Sequence, residues 1–548
     1  MKIKKFFALL LAACALPTWA DNAVSLVPLP ASVKMEQGSF TFPKKLKTAV
    51  DAYPGDSIRW VLDNFEKNFT ATTGVKFQNA KPNSAALQLK LNTALGAEAY
   101  TLNVSEKKIV IEAARPAGFF YALQTLQQML PSRDILAGTP AAKDRPLTLP
   151  AASISDAPRF GWRGFMLDEG RHFFGKEEIK KLLDVMAAYK MNRFHWHLTE
   201  DQGWRIEITK YPQLTAVGAW RDSKVLGWGD TKPDGQRYGG YYTQEDAREI
   251  VRYARERFIE IVPEVDIPGH SQAAVASYPE ILACDPGMKH EVWLWQGVSG
   301  DVINVANPKA VQFAKDVVDE LTNIFPFGYI HLGGDECPTG KWEKNEDCQK
   351  LLKEIDSKNY RDLQINFYRQ LKEHIAKKPL EQQRKLIFWN EVLHGNTAPL
   401  GNDITIMAWV GADRAAQEAA KRGLNTILSP QIPYYINRRQ SDLPTEPRSQ
   451  GHGTETLEAV YNYVPMKDVP ENLQNRYMGV QANFWTEWVE DAPTVQYLMF
   501  PRLAAVAEAG WTPQNLRNYP DFLQRVQKEA EYYRLKGVNY GKHVFDTK

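Results

Sequence analysis

Short apolar runs recur along most of the chain, and the segments between them mostly have a helical period of polar and apolar positions. Between the first two runs, residues 176–190 place their apolar side chains on one face of a predicted helix. Asn307 and Pro308 predict the cap and first turn of another helix, which runs to Ile324. The eight apolar runs begin at Gly164, Arg193, Phe258, Tyr329, Lys385, Ile404, Asn425 and Gly479. Strand and helix that alternate eight times over roughly 350 residues predict an α/β protein with a (β/α)8 TIM barrel.

The part of the chain before the barrel has a different pattern. Residues 87–92, 100–104 and 108–114 alternate between apolar and polar positions, as strands do, and the segment "GFFYALQTLQQML" that follows predicts a helix. A stretch rich in Pro, Ala and Gly ends near residue 155 and indicates a boundary. We therefore predict a small α+β domain over residues 21–155, a catalytic barrel over 156–515 and a C-terminal helical segment over 516–548.

The first twenty residues have the composition of a secretory signal peptide. Three lysines precede an apolar core, and the small-residue ending at Ala20 predicts cleavage after that residue. The apolar core is too short to span a membrane, and no other stretch of the sequence is apolar enough. Export to the periplasm or beyond is expected, and the alternative is a lipid anchor on Cys14, because "LAAC" resembles a lipoprotein cleavage site.

Composition excludes some classes of function. The 548 residues can bury a large core, and a net charge of +2 gives the chain no attraction for nucleic acid or an anionic membrane. Without Cys14, three cysteines remain, which cannot form a full disulfide framework, and no Cys/His spacing suggests zinc. Cys337 and Cys348 could close a small loop in an oxidising compartment. No metal or cofactor is predicted, and the oligomeric state stays open.

Polar residues follow nearly every apolar run, where the predicted strand ends. The carboxyl ends of the strands form the face of a TIM barrel that carries the active site, so these side chains should converge. Acids with an aromatic wall suit a sugar, whose C–H faces stack on indole rings while its hydroxyls bind carboxylates. The expected group contains Arg171, Glu200, Asp201, Asp266, His270, Asp335, Glu336, Glu391 and Glu487, together with Trp389, Trp409 and Trp485.

Asp335 and Glu336 adjoin each other after the fourth run, in "YIHLGGDECPTG". Two neighbours on one loop are poorly placed to flank a sugar from opposite sides, as the two carboxylates of most glycosidases do. They suit a different reaction, in which Glu336 protonates the glycosidic oxygen and Asp335 holds the nitrogen of a 2-acetamido group. The carbonyl oxygen of that group then attacks C1, and no protein nucleophile is needed.

The motifs "MLDEGRHF", "HWHLTEDQGWRIEI", "PEVDIPGH", "HLGGDE" and "NFWTEW" resemble those of β-N-acetylhexosaminidases of glycoside hydrolase family 20. The segment "SLVPLPASVK" resembles the start of the N-terminal domain of that family. The resemblance covers nearly the whole chain after the signal peptide. It implies exo-cleavage of terminal β-linked N-acetylglucosamine or N-acetylgalactosamine, with retention, through an oxazolinium intermediate. The implied partner is a glycan or chitooligosaccharide.

The resemblance also implies a role for each site residue. Glu336 matches the general acid/base, Asp335 the residue that orients the acetamido group, and Tyr435 a donor to the acetamido carbonyl. His270 with Asp266 matches a hydrogen-bonded pair near the acid. The implied substrate-binding residues are Arg171 for O3 and O4, Glu200 in the acidic network, Glu487 for O4 and O6, and Trp389, Trp409 and Trp485 as walls.

One position departs from the family pattern. The family typically has Asp two residues after the tyrosine, whereas "SPQIPYYIN" has Asn437 there. The change removes a charge from the expected site, so the preference between gluco and galacto substrates stays open.

Three other functions are consistent with the sequence. A retaining glycosidase could use Glu391 and Glu487 as its carboxylate pair. A metal-dependent hydrolase could use His195 and His197, whose side chains share one face of a strand. A carbohydrate-binding protein without catalysis could have kept the scaffold of a hydrolase.

Overall fold

The structure is a computed structural model that describes residues 24–140, 146–225, 227 and 232–546. In chain order it consists of a seven-stranded mixed sheet with helices, followed by a closed barrel of eight parallel strands. The predicted fold class is therefore confirmed.

The first sheet has the strand order β1-β7-β5-β6-β4-β2-β3. Its strands are β1 (Ser32–Thr41), β2 (Lys45–Val50), β3 (Lys76–Asn79), β4 (Leu87–Leu91), β5 (Tyr100–Val104), β6 (Ile109–Ala113) and β7 (Thr148–Asp156). Helices Ser57–Thr73 and Pro116–Gln128 share one apolar core with this sheet. The pattern predicted β4, β5, β6 and the second helix, but it did not predict the first helix or the strands β1, β2, β3 and β7.

The barrel closes because its last strand pairs with its first. Its strands are β8 (Trp162–Asp168), β9 (Arg193–His197), β10 (Glu260–Glu264), β11 (Tyr329–His331), β12 (Lys385–Trp389), β13 (Thr405–Ala408), β14 (Asn425–Leu428) and β15 (Tyr477–Phe484). Each of the eight predicted runs overlaps one of these strands.

Helices follow most barrel strands. The main ones are Lys176–Ala188, Gln244–Arg255, Pro308–Ile324, Glu346–Glu354, Arg361–Ala376, Ala412–Lys421, Leu457–Asn462, Ala492–Met499 and Arg502–Trp511. Short helices are Asp134–Ala137, Gln213–Ala216, Gln272–Ser277, Pro279–Leu282, Gly340–Lys344, Gln431–Tyr434 and Glu471–Gln474. The connection from β12 to β13 contains only the 3-10 turns Asn390–His394 and Ala398–Leu400. After the barrel, the chain forms helices Tyr519–Val526 and Glu529–Lys536.

Strand register brings four polar residues to the same level of the barrel. Asp168 is the Cα partner of His197, His197 is the partner of Glu264, and Glu264 is the partner of His331. All four are the last residues of β8 to β11, and all four are completely buried. A buried polar layer therefore underlies the carboxyl face of the barrel.

The N-terminal part of the chain packs against the barrel through ion pairs with little exposure to solvent. Lys190 Nζ lies 2.9 Å from Asp156 Oδ2, and Arg163 lies 2.8 Å from Glu98. Arg163 is the second residue of β8, so this contact lies near the amino ends of the barrel strands, away from the carboxyl face. In TIM barrels the amino face serves stability rather than catalysis.

Cys284, Cys337 and Cys348 are free thiols in the structure, so the loop-closing disulfide between Cys337 and Cys348 does not form. The thiol of Cys348 lies instead against that of Cys284, which follows the short helix Pro279–Leu282. No helix within the described ranges is long and apolar enough to cross a membrane. Cys14 and the predicted cleavage after Ala20 lie outside the described residues.

Candidate active site

The loop after β11 carries the two neighbouring acids. Gly333 and Gly334 both have positive φ, and a Cβ on Gly333 would lie 1.8 Å from Asp266 Oδ1. Only glycine allows this approach. Glu336 also has a positive φ of 43°, which is unusual for a residue with a side chain and marks a constrained turn. The turn buries Asp335, whereas the side chain of Glu336 stays 46% exposed.

Asp335 is hydrogen-bonded to a second buried acid, Asp266. The backbone N–H of Gly334 donates to Asp266 Oδ1 over 3.2 Å, which holds this carboxyl against the loop. Burial, together with the charge of Asp335, raises the pKa of Asp266 well above its usual range. Burial also raises the pKa of Asp335. The charge of His270 and the hydrogen bond from Asp266 both oppose this rise. Asp266 therefore keeps a proton and donates it, and Asp335 stays an acceptor.

His270 faces both acids of the loop. Its Nε2 lies 3.6 Å from Glu336 Oε2 and 3.7 Å from Asp335 Oδ2. Although burial opposes a charge, the Glu200 carboxylate raises the pKa of His270 well above its usual value. The ring is therefore an imidazolium, and its proximity lowers the pKa of Glu336.

The prediction of a hydrogen bond between His270 and Asp266 is wrong. His270 Nδ1 lies 3.0 Å from Glu200 Oε2 and 3.3 Å from Asp201 Oδ2. Asp266 is turned toward the glycine loop and Asp335 instead. Glu200 is the principal partner of His270.

Arg171 lies beside this network at the base of the site. Its guanidinium is 2.8 Å from Glu200 Oε1 and 3.3 Å from Asp168 Oδ2, and its Nε donates to Gln202 Oε1 over 3.1 Å. It also lies over the ring of Trp485, 5.1 Å from the centroid. Burial opposes its charge, but the surrounding carboxylates raise its pKa. Arg171 is thus held rigidly as a cation, with N–H groups left over for a ligand.

Four aromatic rings form a box. Trp409 and Tyr435 are parallel within 3°, with centroids 5.8 Å apart. Trp389 contacts both Trp409 and Trp485 at 6.5 and 5.8 Å, and Tyr435 lies 6.1 Å from Trp485. These residues end or follow β12, β13, β14 and β15. Sequence reasoning placed three of the rings and the tyrosine at one end of the barrel, and the structure brings them together.

Two further predicted residues present unpaired polar atoms. Glu487 Oε2 and Asn437 Oδ1 are buried and have no hydrogen-bond partner within the described part of the chain. The amide nitrogen of Asn437 donates to Gln450 Oε1 over 3.2 Å. Burial raises the pKa of Glu487, and Arg171 opposes the rise. Both acceptors can therefore receive hydrogen bonds from a ligand with hydroxyl donors.

Glu391 lies at the edge of the aromatic box. The indole N–H of Trp409 donates to Glu391 Oε2 over 2.8 Å. Burial, with the charge of Asp335 nearby, raises the pKa of Glu391 to about 8. A carboxyl that is protonated at neutral pH and bound to an indole is a poor nucleophile, which disfavours the reaction with Glu391 and Glu487 as a pair.

His195 and His197 both face Glu264 in the buried layer. His195, Glu264 and His331 could hold a metal ion by distance, since their ligand atoms lie within 4.8 Å of one another. The rings of Trp389 and Trp485 contact these histidines at 4.9 to 5.8 Å. An ion there would lie behind the aromatic box, where it could not reach a substrate in the box. This cluster is therefore poorly suited to metal-dependent hydrolysis.

Sequence reasoning did not identify Asp168, Gln202 or Glu264 as site residues. Asp168 and Glu264 each end an apolar strand with an acid, which is the signal that identified the other residues. Glu264 accepts the indole N–H of Trp389 over 2.8 Å and lies against His195, His197 and His331.

The family models and the sequence relatives of this chain point to the same family. Residues 160–514 match the glycosyl hydrolase family 20 catalytic domain, and residues 23–157 match domain 2 of the same family. A β-hexosaminidase of Porphyromonas gingivalis is 37% identical over 95% of this chain and 64% of that protein. This chain thus spans less than two thirds of that relative. A β-hexosaminidase of Vibrio furnissii is 34% identical over 90% of this chain and 78% of that protein.

Solved structures agree with the sequence relatives. The exo-β-N-acetylglucosaminidase of family 20 from Vibrio harveyi, in complex with N-acetylglucosamine, superposes with a TM-score of 0.81 at 34% identity. The match covers 94% of this chain and 78% of that one. A β-N-acetylhexosaminidase from Bacteroides fragilis superposes with a TM-score of 0.79 at 30% identity, over 95% of this chain and 99% of the other.

Proposed function

Since this chain belongs to glycosyl hydrolase family 20, we propose that it is an exo-acting β-N-acetylhexosaminidase. It removes terminal β-linked N-acetylglucosamine or N-acetylgalactosamine from a glycan or chitooligosaccharide and retains the configuration at C1. The reaction proceeds through an oxazolinium intermediate that the substrate forms with its own acetamido group.

The observation that carries this proposal is the contrast between two neighbouring acids. Asp335 is buried and accepts a hydrogen bond from Asp266, so it is suited to hold an N–H group. Glu336 is half exposed beside His270, so it is suited to exchange a proton with a leaving group or with water. Both roles are needed when the nucleophile belongs to the substrate.

In the first step Asp335 accepts the acetamido N–H and turns the carbonyl oxygen toward C1. Tyr435 donates its hydroxyl proton to that carbonyl oxygen, and Trp409 packs parallel to the tyrosine ring. The carbonyl oxygen forms a bond to C1 while the glycosidic bond breaks. Glu336 gives its proton to the departing oxygen, and the intermediate carries the positive charge beside Asp335.

In the second step Glu336 acts as the base. Its carboxylate takes a proton from a water molecule, which attacks C1 from the side that the aglycone left. The acetamido group reopens, and the product keeps its β configuration. In the free pocket His270 lowers the pKa of Glu336, and a bound sugar would cover the carboxyl and raise this pKa again, which favours the acid form.

The remaining predicted residues bind the sugar. Arg171 donates to O3 and O4, and the unpaired acceptor of Glu487 receives hydrogen bonds from O4 and O6. Trp389 and Trp485 close the apolar side of the pocket. Asn437 offers an amide oxygen where the family typically has a carboxylate, so its hydrogen bond to a hydroxyl is neutral.

The test compares a chromogenic N-acetyl-β-glucosaminide with the plain β-glucoside of the same leaving group. We expect hydrolysis of the first alone, and competitive inhibition by the thiazoline analogue of the cyclised intermediate. Comparable turnover of the plain glucoside, or a sugar esterified to a protein side chain, would overturn the proposal. An N-acetyl-β-galactosaminide assayed beside them measures the effect of Asn437 on the preference for O4.

We also propose that the protein is exported. Support comes from the charged and apolar order of the first twenty residues, which lie outside the described part of the structure. Mass spectrometry of the purified chain should give an N-terminus at Asp21. A diacylglycerol-modified N-terminus at Cys14 would show the lipid-anchored alternative, and an unprocessed chain in the cytoplasm would contradict export.

A further inference from the structure

His197, the last residue of β9, is completely buried and has an acid on each ring nitrogen. Its Nδ1 is in close contact with Glu264 Oε2, and its Nε2 lies 3.2 Å from Glu200 Oε1. A neutral imidazole carries one N–H and can donate to only one of them, whereas an imidazolium donates to both. Burial opposes the charge, but Glu264 and then Glu200 raise the pKa of His197 to about 10.

Glu200 connects this histidine to the catalytic loop. Its Oε1 lies 3.2 Å from His197 Nε2 and 2.8 Å from the guanidinium of Arg171. Its Oε2 accepts the backbone N–H of Asp201 over 3.0 Å. The same Oε2 lies 3.0 Å from His270 Nδ1. The Glu200 carboxylate therefore helps to position the His270 ring, together with Asp201, whose Oδ2 lies 3.3 Å from the same Nδ1.

We propose that His197 is a positioning residue, which aligns Glu200 so that the His270 imidazolium faces Asp335 and Glu336. The contacts run from Glu264 through His197, Glu200 and His270 to the acid of the proposed reaction. This inference rests on the proposed function. It extends the proposed catalytic group to a residue that touches no substrate.

Charged and titratable groups pack around His197 from neighbouring strands. Glu264 on β10 and Glu200 after β9 contact it directly, and Asp168 on β8 is its register partner. Arg171 reaches it through Glu200, and His195 lies two residues before it on the same strand. Burial lowers the pKa of His195 to about 4, so His195 adds no charge at neutral pH.

His195 provides a matched control. Its Nε2 also contacts Glu264, at 2.9 Å, and it is also completely buried. Its Nδ1 faces Gln481 instead of Glu200, at 3.0 Å. A replacement of either histidine disturbs the same buried layer, but only a replacement of His197 breaks the contact to Glu200.

The experiment compares His197→Asn with His195→Gln. Each variant keeps an amide donor near the ring nitrogen that contacts Glu264 and loses the other contact. For His197→Asn we expect kcat/KM on the N-acetyl-β-glucosaminide to fall about 10- to 100-fold, as for other residues that orient a catalytic ligand. The loss of one positive charge should also move both limbs of the pH profile upward by about half a unit. His195→Gln should keep the wild-type profile and stay within about threefold in kcat/KM.

Two outcomes overturn the proposal. One is an equal loss in both variants with an unchanged pH profile, since both histidines would then only support the fold. The other is wild-type catalysis and a wild-type profile in His197→Asn.

If His197→Asn does not fold, His197→Gln is assayed in its place. Its longer amide restores a neutral donor toward Glu200, so kcat/KM should recover at least in part while the shifted profile remains. A wild-type profile in His197→Gln overturns the proposal. The wild-type enzyme is assayed in parallel, and absence of hydrolysis there would refute the proposed function together with this inference.

Discussion

At the residue scale, Asp335 and Glu336 show how burial divides chemistry between neighbours. The two acids are adjacent in the chain, yet Asp335 is 6% exposed and the side chain of Glu336 is 46% exposed. His270 Nε2 lies 3.7 Å from Asp335 and 3.6 Å from Glu336, so the two acids share a neighbour but differ in access to solvent. The sequence predicted both residues and their order of roles, but it could not predict that Asp266 would hold Asp335 rather than His270. That difference depends on which way one carboxyl turns in a buried loop.

Replacement of Glu336 by glutamine tests its role as the acid. The amide of Glu336→Gln cannot give a proton, so the loss should depend on how much the leaving group needs one. We expect kcat/KM to fall about 10³-fold or more on an N-acetylchitobioside and much less on an aglycone with an acidic phenol. The measurement compares the two substrates with wild type and variant. Equal losses on both would argue against proton donation by Glu336.

Replacement of Glu391 by glutamine separates the proposed reaction from that of a paired-carboxylate glycosidase. The pKa of Glu391 is raised to about 8, so its carboxyl is already neutral at pH 6, and an amide oxygen can still accept the Trp409 N–H. We therefore expect kcat/KM at pH 6 to fall less than about threefold. A nucleophile would lose nearly all activity on the same change. Such a loss, in a variant that folds and binds the thiazoline analogue, would favour the paired-carboxylate reaction.

At the element scale, periodicity predicted the barrel well because each strand is a buried apolar run. Asn307 does cap the helix Pro308–Ile324, as its side chain accepts the Lys309 N–H over 3.0 Å. Register was not predictable, because it depends on the shear of the closed barrel and leaves no local pattern. For this reason the contact between His197 and Glu264 could not be predicted from the sequence. The exposed edge strands β1 and β3 were also missed, since their apolar alternation is weak.

Two glycines flank β11 and offer a test of the loop that follows it. A Cβ on Gly333 would meet Asp266 Oδ1 at 1.8 Å and would need a φ of +70°, whereas Gly328 has nothing within 4 Å of its Cβ position. We expect Gly333→Ala to displace the loop that carries Asp335 and to lower kcat by about 100-fold. Gly328→Ala should leave kcat unchanged. Kinetics and a thermal midpoint for both variants check this, and a fully active Gly333→Ala enzyme would mean that the loop tolerates the shift.

At the scale of the whole molecule, the site and the domain contact lie at opposite ends of the barrel. The domain limits proposed from sequence, at 155 and 515, stay a prediction. The first limit lies one residue before the end of β7, which belongs to the N-terminal sheet. Asp156, the last residue of β7, accepts from Lys190 Nζ, from the Tyr100 hydroxyl and from the Trp511 indole. Strand β7 is thus fixed to the barrel by charge as well as by apolar packing. Such a contact should affect stability and leave catalysis alone.

Lys190→Met tests whether the contact between the N-terminal sheet and the barrel affects stability without affecting catalysis. Lys190 Nζ is 2.9 Å from Asp156 Oδ2, and both side chains are buried, so methionine fills the space and leaves the carboxylate without its cation. Removal of one partner of a buried pair costs about 3 kcal/mol of the free energy of unfolding. The midpoint of urea unfolding should fall accordingly, while kcat and KM measured below the transition stay unchanged.

The control for that measurement is Arg252→Met, which breaks an exposed ion pair with Glu245 whose side chains are 62% and 69% exposed. Exposed pairs are screened by water, so this variant should unfold at the wild-type urea concentration. Equal midpoints for the two variants would mean that Asp156 finds enough compensation from Tyr100 and Trp511 alone. A lower kcat in Lys190→Met, with a correctly folded barrel, would instead show that the N-terminal sheet communicates with the carboxyl face through β8.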